Sequence, residues 1–317
     1  MARSRRAAAI AAPPRLRLRP GISLRILSGL VAMVLLSLLA VAAIAGYFTY
    51  RVIAEHNDSE NVTPTSFLLT NFESLSFTDR LGGEHEGWLL HGLRGAPAIV
   101  LCPAYDSNRS DLLPLGAILQ ANGFNVYTFN FGGAKTRQSI SDLGNQQVDD
   151  LLSAIQTVTK QRDVNPHTIG LYGATTGAYA VLVAAEQLPL VKAIVIDSVY
   201  ERPVQMFDSE LDQLLGGTSG PFRTIADLEF RLVKGKNTLP VREDLAKLGT
   251  IPKFFISAQD RPVLANITNE LYAFSPQPKR MWILEHSYTG QSTGPEKKEY
   301  ENQVLTFFTQ YMHPRAD

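Results

Sequence analysis

Three residues of the types that acyl-transfer chemistry uses occur in the order Thr175, Asp260, His286. A hydroxyl is a poor nucleophile until a base removes its proton, and histidine is the side chain that does this near neutral pH. A carboxylate on the far ring nitrogen fixes the tautomer and steadies the imidazolium that forms. Thr175 is the centre of Gly173-Ala174-Thr175-Thr176-Gly177, which has the spacing G-x-S-x-G with threonine in the serine position. The glycines have a mechanical task. A strand that turns at once into a helix brings two backbones nearly into contact, so a side chain at Gly173 or Gly177 would collide.

The surrounding pattern predicts the elements that must hold these groups. The apolar run 169–172 leads into the turn, and an Ala/Val/Leu-rich helical pattern follows to about 186. Residues 98–102, 125–131, 191–196, 253–256 and 280–284 read as further strands, the first of them a continuous apolar run closed by Pro103. Such runs suit strands buried on both faces of a parallel sheet. Residues 72–77 and 86–90 read as a hairpin around Leu81-Gly82-Gly83. Helical spacing covers 111–122, 142–162 and 299–311. Strands and helices in alternation predict an α/β fold, a mostly parallel sheet with helices on both faces. In such sheets the reactive groups stand at the carboxyl ends of the strands, where Thr175, Asp260 and His286 all fall. Residues 200–249 interrupt the alternation and are expected to form a short helical lid over that end.

On these residues the chain resembles the α/β-hydrolase superfamily, over residues 67–312. The order nucleophile, acid, histidine is the one those enzymes use. Asp260-Arg261-Pro262-Val263 is similar to the D-x-x-V pattern near the family's acid, and Pro103-Ala104-Tyr105 stands where the family usually has His-Gly-x. Phe129-Asn130-Phe131-Gly132-Gly133 resembles the family's loop after the fourth strand, whereas His91-Gly92 precedes the third strand and cannot face the turn. The resemblance implies ester, thioester or amide hydrolysis through a covalent acyl intermediate, with no cofactor and no metal. It implies an oxyanion hole made by the backbone N–H groups of Tyr105 and Thr176. A small acyl substrate or a peptide would be the ligand.

Composition places this domain behind a membrane anchor. The 317 residues carry 30 basic and 30 acidic side chains, so no overall field draws the chain to nucleic acid. Seven arginines and no acid lie in residues 1–25, before an uncharged apolar run at 26–48. About 20 apolar residues in a helix cross the hydrocarbon core. Arginines on the amino side favour a cytoplasmic amino terminus and an extracytoplasmic domain. The run exceeds the roughly 7–15 apolar residues of a cleavable signal, although Ala43-Ile44-Ala45 has the form of a cleavage site. Residues 49–66 read as a polar stalk. One cysteine, Cys102, excludes an internal disulfide.

Threonine at the elbow departs from the family pattern. That position takes a positive φ, which a β-branched residue rarely adopts, and the γ-methyl crowds the attacking oxygen. Two readings therefore stand: a hydrolase using Thr175, or a catalytically inactive hydrolase fold that binds a ligand or protein. Cys102 at a strand end is expected to be packing, and Glu84-His85-Glu86 a solvated turn. Asp197, at another strand end, is the second choice for the acid. Met206, Phe207 and Phe230 line an acyl pocket or form lid core.

Overall fold

A computed structural model of the chain describes residues 20–54, 62–105, 107–132, 141–216, 220–234, 240–288 and 294–314. Eight strands form one sheet: β1 (Phe72–Thr78), β2 (Glu84–Leu90), β3 (Ala96–Cys102), β4 (Asn125–Phe129), β5 (Val164–Ala174), β6 (Val191–Asp197), β7 (Lys253–Ala258) and β8 (Lys279–Leu284). Their order is β1-β2-β4-β3-β5-β6-β7-β8. β1 and β2 form an antiparallel hairpin, and β2 is antiparallel to β4. The pairs from β4 to β8 are all parallel. β3, β4 and β7 are buried at every residue, as expected of strands covered on both faces.

Helices α2 (Leu113–Ala121), α3 (Asn145–Val158), α4 (Thr176–Gln187), α8 (Pro262–Phe274) and α9 (Pro295–Tyr311) provide the cover. One core layer packs α3 and α4 on the sheet through Val148, Leu151, Ile155, Val181 and Leu182. The other packs α2 and α9 through Leu115, Leu119, Val304 and Phe308. The segment after β6 forms α5 (Pro203–Leu215), α6 (Pro221–Lys234) and α7 (Val241–Lys247), in the place expected for the lid. Met206, Phe207 and Phe230 are buried, with the two phenyl rings stacked 4.7 Å apart. These side chains therefore form lid core.

The amino-terminal apolar run is helical, α1 (Pro20–Ile53), and Leu24–Ile53 is long and apolar enough to be a candidate span. The helix continues five residues beyond the expected end at Phe48. Thr49, Val52 and Ile53 are buried against the domain, so the stretch expected to begin a polar stalk is instead the docked last turn and a half of α1. The reason is apolar: Val52 and Ile53 find partners in the core below the lid. Of the rest of the expected stalk, 55–61 lies outside the described residues, and 64–66 belong to a short 3-10 turn, Pro64–Phe67, in which Pro64 is buried.

Candidate active site

Thr175 sits in the turn between β5 and α4 with φ 44° and ψ −106°. A β-branched residue at positive φ is strained, and the surrounding backbone holds it there. Its N–H donates to the Asp197 carbonyl at 2.9 Å, and its carbonyl accepts from the Tyr179 N–H at 3.0 Å. The glycines are necessary for this closeness. A Cβ on Gly173 would stand 2.3 Å from the Gly177 carbonyl carbon, and one on Gly177 would stand 2.6 Å from the carbonyl oxygens of Cys102 and Pro103. Both distances are to backbone, which cannot move aside as a flexible side chain would.

The loop after β3 supplies Tyr105, whose backbone N–H donates to Thr175 Oγ1 at 2.8 Å. A hydroxyl and one donor of the expected oxyanion pair are therefore in direct contact. Thr176, the second donor's residue, is the first residue of α4 and is buried. Amides in the first turn of a helix have no intrahelical acceptor. The Tyr105 side chain runs the other way and donates its hydroxyl to the Val52 carbonyl at 2.6 Å.

Asp260 and His286 lie in neighbouring loops after β7 and β8. The loops are tied together: the Asp260 N–H donates to the Glu285 carbonyl at 3.1 Å. Asp260 Oδ2 accepts from the Ser287 N–H at 2.9 Å and from Ser287 Oγ at 3.0 Å. The residue that Asp260 grips is thus the one after His286. His286 Nδ1 is 3.8 Å from Glu296 Oε2, and its side chain is 54% exposed. Thr175 is 4% exposed. Glu296, from the first turn of α9, and Glu285 each bring a carboxylate oxygen to within 4.8 Å of the imidazole.

Asp197 ends β6 directly behind the elbow and is buried. Oδ2 accepts from the Tyr300 hydroxyl at 2.7 Å and Oδ1 from Ser198 Oγ at 2.8 Å. Tyr300 and Tyr172 are also joined, hydroxyl to hydroxyl, at 3.0 Å. Burial raises the Asp197 carboxyl to about 6; the hydrogen bonds from Tyr300 and Ser198 oppose the shift without cancelling it. Burial also pushes the Cys102 thiol well above its ordinary range, which removes the thiolate a nucleophile needs. Cys102 is a packing residue.

His85 is a correction to the sequence reading. β2 begins at Glu84, and strand alternation turns Glu84 and Glu86 out and His85 in. The ring stacks on Phe77 at 4.6 Å, and Nε2 is 3.0 Å from Asp79 Oδ2 and 3.5 Å from Asp150 Oδ1. Burial alone would raise the Asp79 carboxyl, but the bonds from His85 and from the Gly83 and Leu81 N–H groups hold it below its ordinary value. Asp79, His85 and Asp150 have the side chains of a metal site, as do Glu285, His286 and Glu296 on the surface. The first set already pairs acid with imidazole and ties the β1–β2 hairpin to α3. Exposure alternates over residues 84–87, but only the strand's start at Glu84 turns His85 inward; Asp150, 65 residues on, carried no signal in the sequence.

No sequence profile of a described protein family matches the chain. It is 24% identical over 254 residues to the uncharacterised protein YfhR of Escherichia coli (strain K12), covering 77% of this chain and 82% of that one. The esterase Pf2001 of Pyrococcus furiosus superposes with a TM-score of 0.64 at 16% identity, over 82% of this chain and 98% of the esterase. Dienelactone hydrolase from Anabaena variabilis gives 0.56 at 15%, over 77% and 100%. The fold is the α/β-hydrolase fold, as the mostly parallel sheet with helices on both faces had implied.

Proposed function

We propose that this chain is a membrane-anchored acyl hydrolase that acts on an ester, thioester or amide through Thr175. The observation that carries the reading is the contact between Thr175 Oγ1 and the Tyr105 N–H at 2.8 Å. It sets a hydroxyl, on a turn that disfavours its own residue type, beside a donor for a developing oxyanion. Local strain of this kind persists where surrounding structure imposes it and is frequent at functional sites.

In this mechanism Thr175 Oγ1 attacks the acyl carbonyl and its proton passes to His286. The carbonyl oxygen takes up the negative charge and is held by the N–H groups of Tyr105 and Thr176. Collapse breaks the bond to the leaving group, which receives the proton from His286. Water, deprotonated by the same ring, then releases the acid and restores Thr175. Asp260 orients the histidine loop. The first step requires the imidazole to reach Thr175 Oγ1. α1 crosses the membrane with the amino terminus in the cytoplasm and the domain outside.

A second reading has its own observation: the same 2.8 Å contact fills the oxyanion donor with the Thr175 hydroxyl, and His286 faces Glu296. On this reading the chain is a catalytically silent fold that binds a ligand or protein. Fluorophosphonate labelling and short-chain ester turnover of the full chain in detergent separate the two, using wild type, Thr175→Ala, Thr175→Ser and His286→Ala. Activity in wild type, lost in both alanine variants, is the expected result. Activity in Thr175→Ser alone would mean an intact site with a disarmed nucleophile, and inactivity throughout would leave the binding reading.

A further inference from the structure

We propose that helix α6 lies on the same membrane leaflet that α1 leaves, with its exposed leucines in the headgroup boundary. The inference rests on the anchor reading above and adds to it an occupant for the outer face of α6.

The depth of the lid follows from α1. Apolar side chains are exposed from Leu24, at 68%, to Ile44, at 51%. That stretch is one hydrocarbon span, about 20 residues. Burial by protein begins immediately after it, at Ala45, and continues at Thr49, Val52 and Ile53. Tyr47 and Tyr50 stay exposed on the other side of the helix. Tyrosine, with an apolar ring and a polar tip, is enriched at the level of the headgroups. The helix therefore leaves the hydrocarbon where the domain takes hold of it.

The element that takes hold is α6. Phe222 meets Phe48 edge to face, with centroids 6.1 Å apart. Thr49 Oγ1 donates to Glu229 Oε2 at 3.4 Å. Ala226 and Phe230 face the lid core and are buried. The same helix nevertheless leaves Leu228 56% and Leu232 74% exposed, one turn apart. Arg231 lies between them. A helix with apolar side chains on an outer face and a cation beside them binds at the membrane surface, with its apolar face in the headgroup boundary. The contacts of α6 with Phe48 and Thr49, where α1 leaves the hydrocarbon, identify the bilayer as the occupant.

The reacting end of the sheet is close to this surface. A single residue, Tyr105, joins Thr175 Oγ1 through its N–H to the last turn of α1 through its hydroxyl. The distance from nucleophile to anchor is thus one tyrosine side chain.

The test uses the full chain in phosphatidylcholine–phosphatidylglycerol vesicles. Single cysteines replace Leu228, Leu232, Leu35 or Leu81 in a Cys102→Ala background and are labelled with bimane. Quenching is then read with lipids carrying a doxyl group near the headgroup or deep in the chain. Leu228 and Leu232 are expected to be quenched by the shallow lipid, Leu35 by the deep one, and Leu81, 89% exposed on the hairpin, by neither. Labels at 228 and 232 that behave like Leu81, while Leu35 is quenched, would overturn the proposal and leave the anchor standing. Failure at Leu35 as well would remove the anchor and this proposal with it.

Discussion

The elbow and the loops of Asp260 and His286 belong to one end of the same sheet, yet they are built differently. At the elbow every backbone neighbour of Thr175 is specified: Asp197 and Tyr179 hold its amide and carbonyl, and Gly173 and Gly177 permit the approach. At the two loops the Asp260 and His286 side chains are exposed, and what holds them is the Asp260 N–H on the Glu285 carbonyl and the Asp260 carboxylate on Ser287. Thr175 is thus placed by packing, and Asp260 and His286 by a few polar contacts. The comparison teaches that substitutions at the elbow should act on folding, while those at the loops should act on turnover.

Gly177→Ala tests the rigid side most severely. Its Cβ would stand 2.6 Å from two backbone carbonyl oxygens, and the cost should be at least about 3 kcal/mol. Urea denaturation of the detergent-solubilised full chain measures it. Near-wild-type stability would mean that the elbow can relax and the contrast with the loops is false.

Asp197 extends the rigid side into pH. Folding raises its carboxyl from 3.8 to about 6, so folding favours the protonated form. That contribution is complete below pH 3.8 and is lost as pH rises through 6. The gap corresponds to roughly 3 kcal/mol at most. Asp197→Asn should flatten the dependence of the urea midpoint between about pH 4 and 6, leaving the wild type to fall across that window.

Thr175→Ser keeps the hydroxyl and removes the β-branch. It should gain about 0.5–1 kcal/mol by easing the strain at φ 44°, read as a higher melting temperature, and it should raise ester turnover. Ser287→Ala tests the flexible side. Loss of a buried hydroxyl that donates to the Asp260 carboxylate should cost about 1–2 kcal/mol of stability, less than Gly177→Ala. Turnover should still fall several-fold if Asp260 positions the histidine loop. A stability loss as large as that of Gly177→Ala would erase the distinction.

Much of the fold was legible in residue patterns. β3, β6 and β7 are near-continuous apolar runs because both faces are covered, and the elbow declared itself through two glycines whose spacing has a steric cause. The order Thr175, Asp260, His286 was equally plain, since strand ends can be counted along the chain. What was not legible joins distant segments. Tyr300 to Asp197 spans 103 residues and Thr49 to Glu229 spans 180, and neither pair has a local signature. His85 looked solvated because its neighbours are both acids, and only the start of β2 at Glu84 turned it inward.

By itself the sequence determined the strand and helix periods, the apolar length of α1 and the residue types at each strand end, because hydrophobic periodicity and glycine sterics act over a few residues. The tertiary structure alone decided which groups meet. It brought the Tyr105 amide to the Thr175 hydroxyl, buried Asp197 beneath the elbow, turned His286 towards Glu296 and seated the last turns of α1 on the lid. Those outcomes depend on how whole elements pack, and packing is a property of surfaces assembled from segments far apart in the chain.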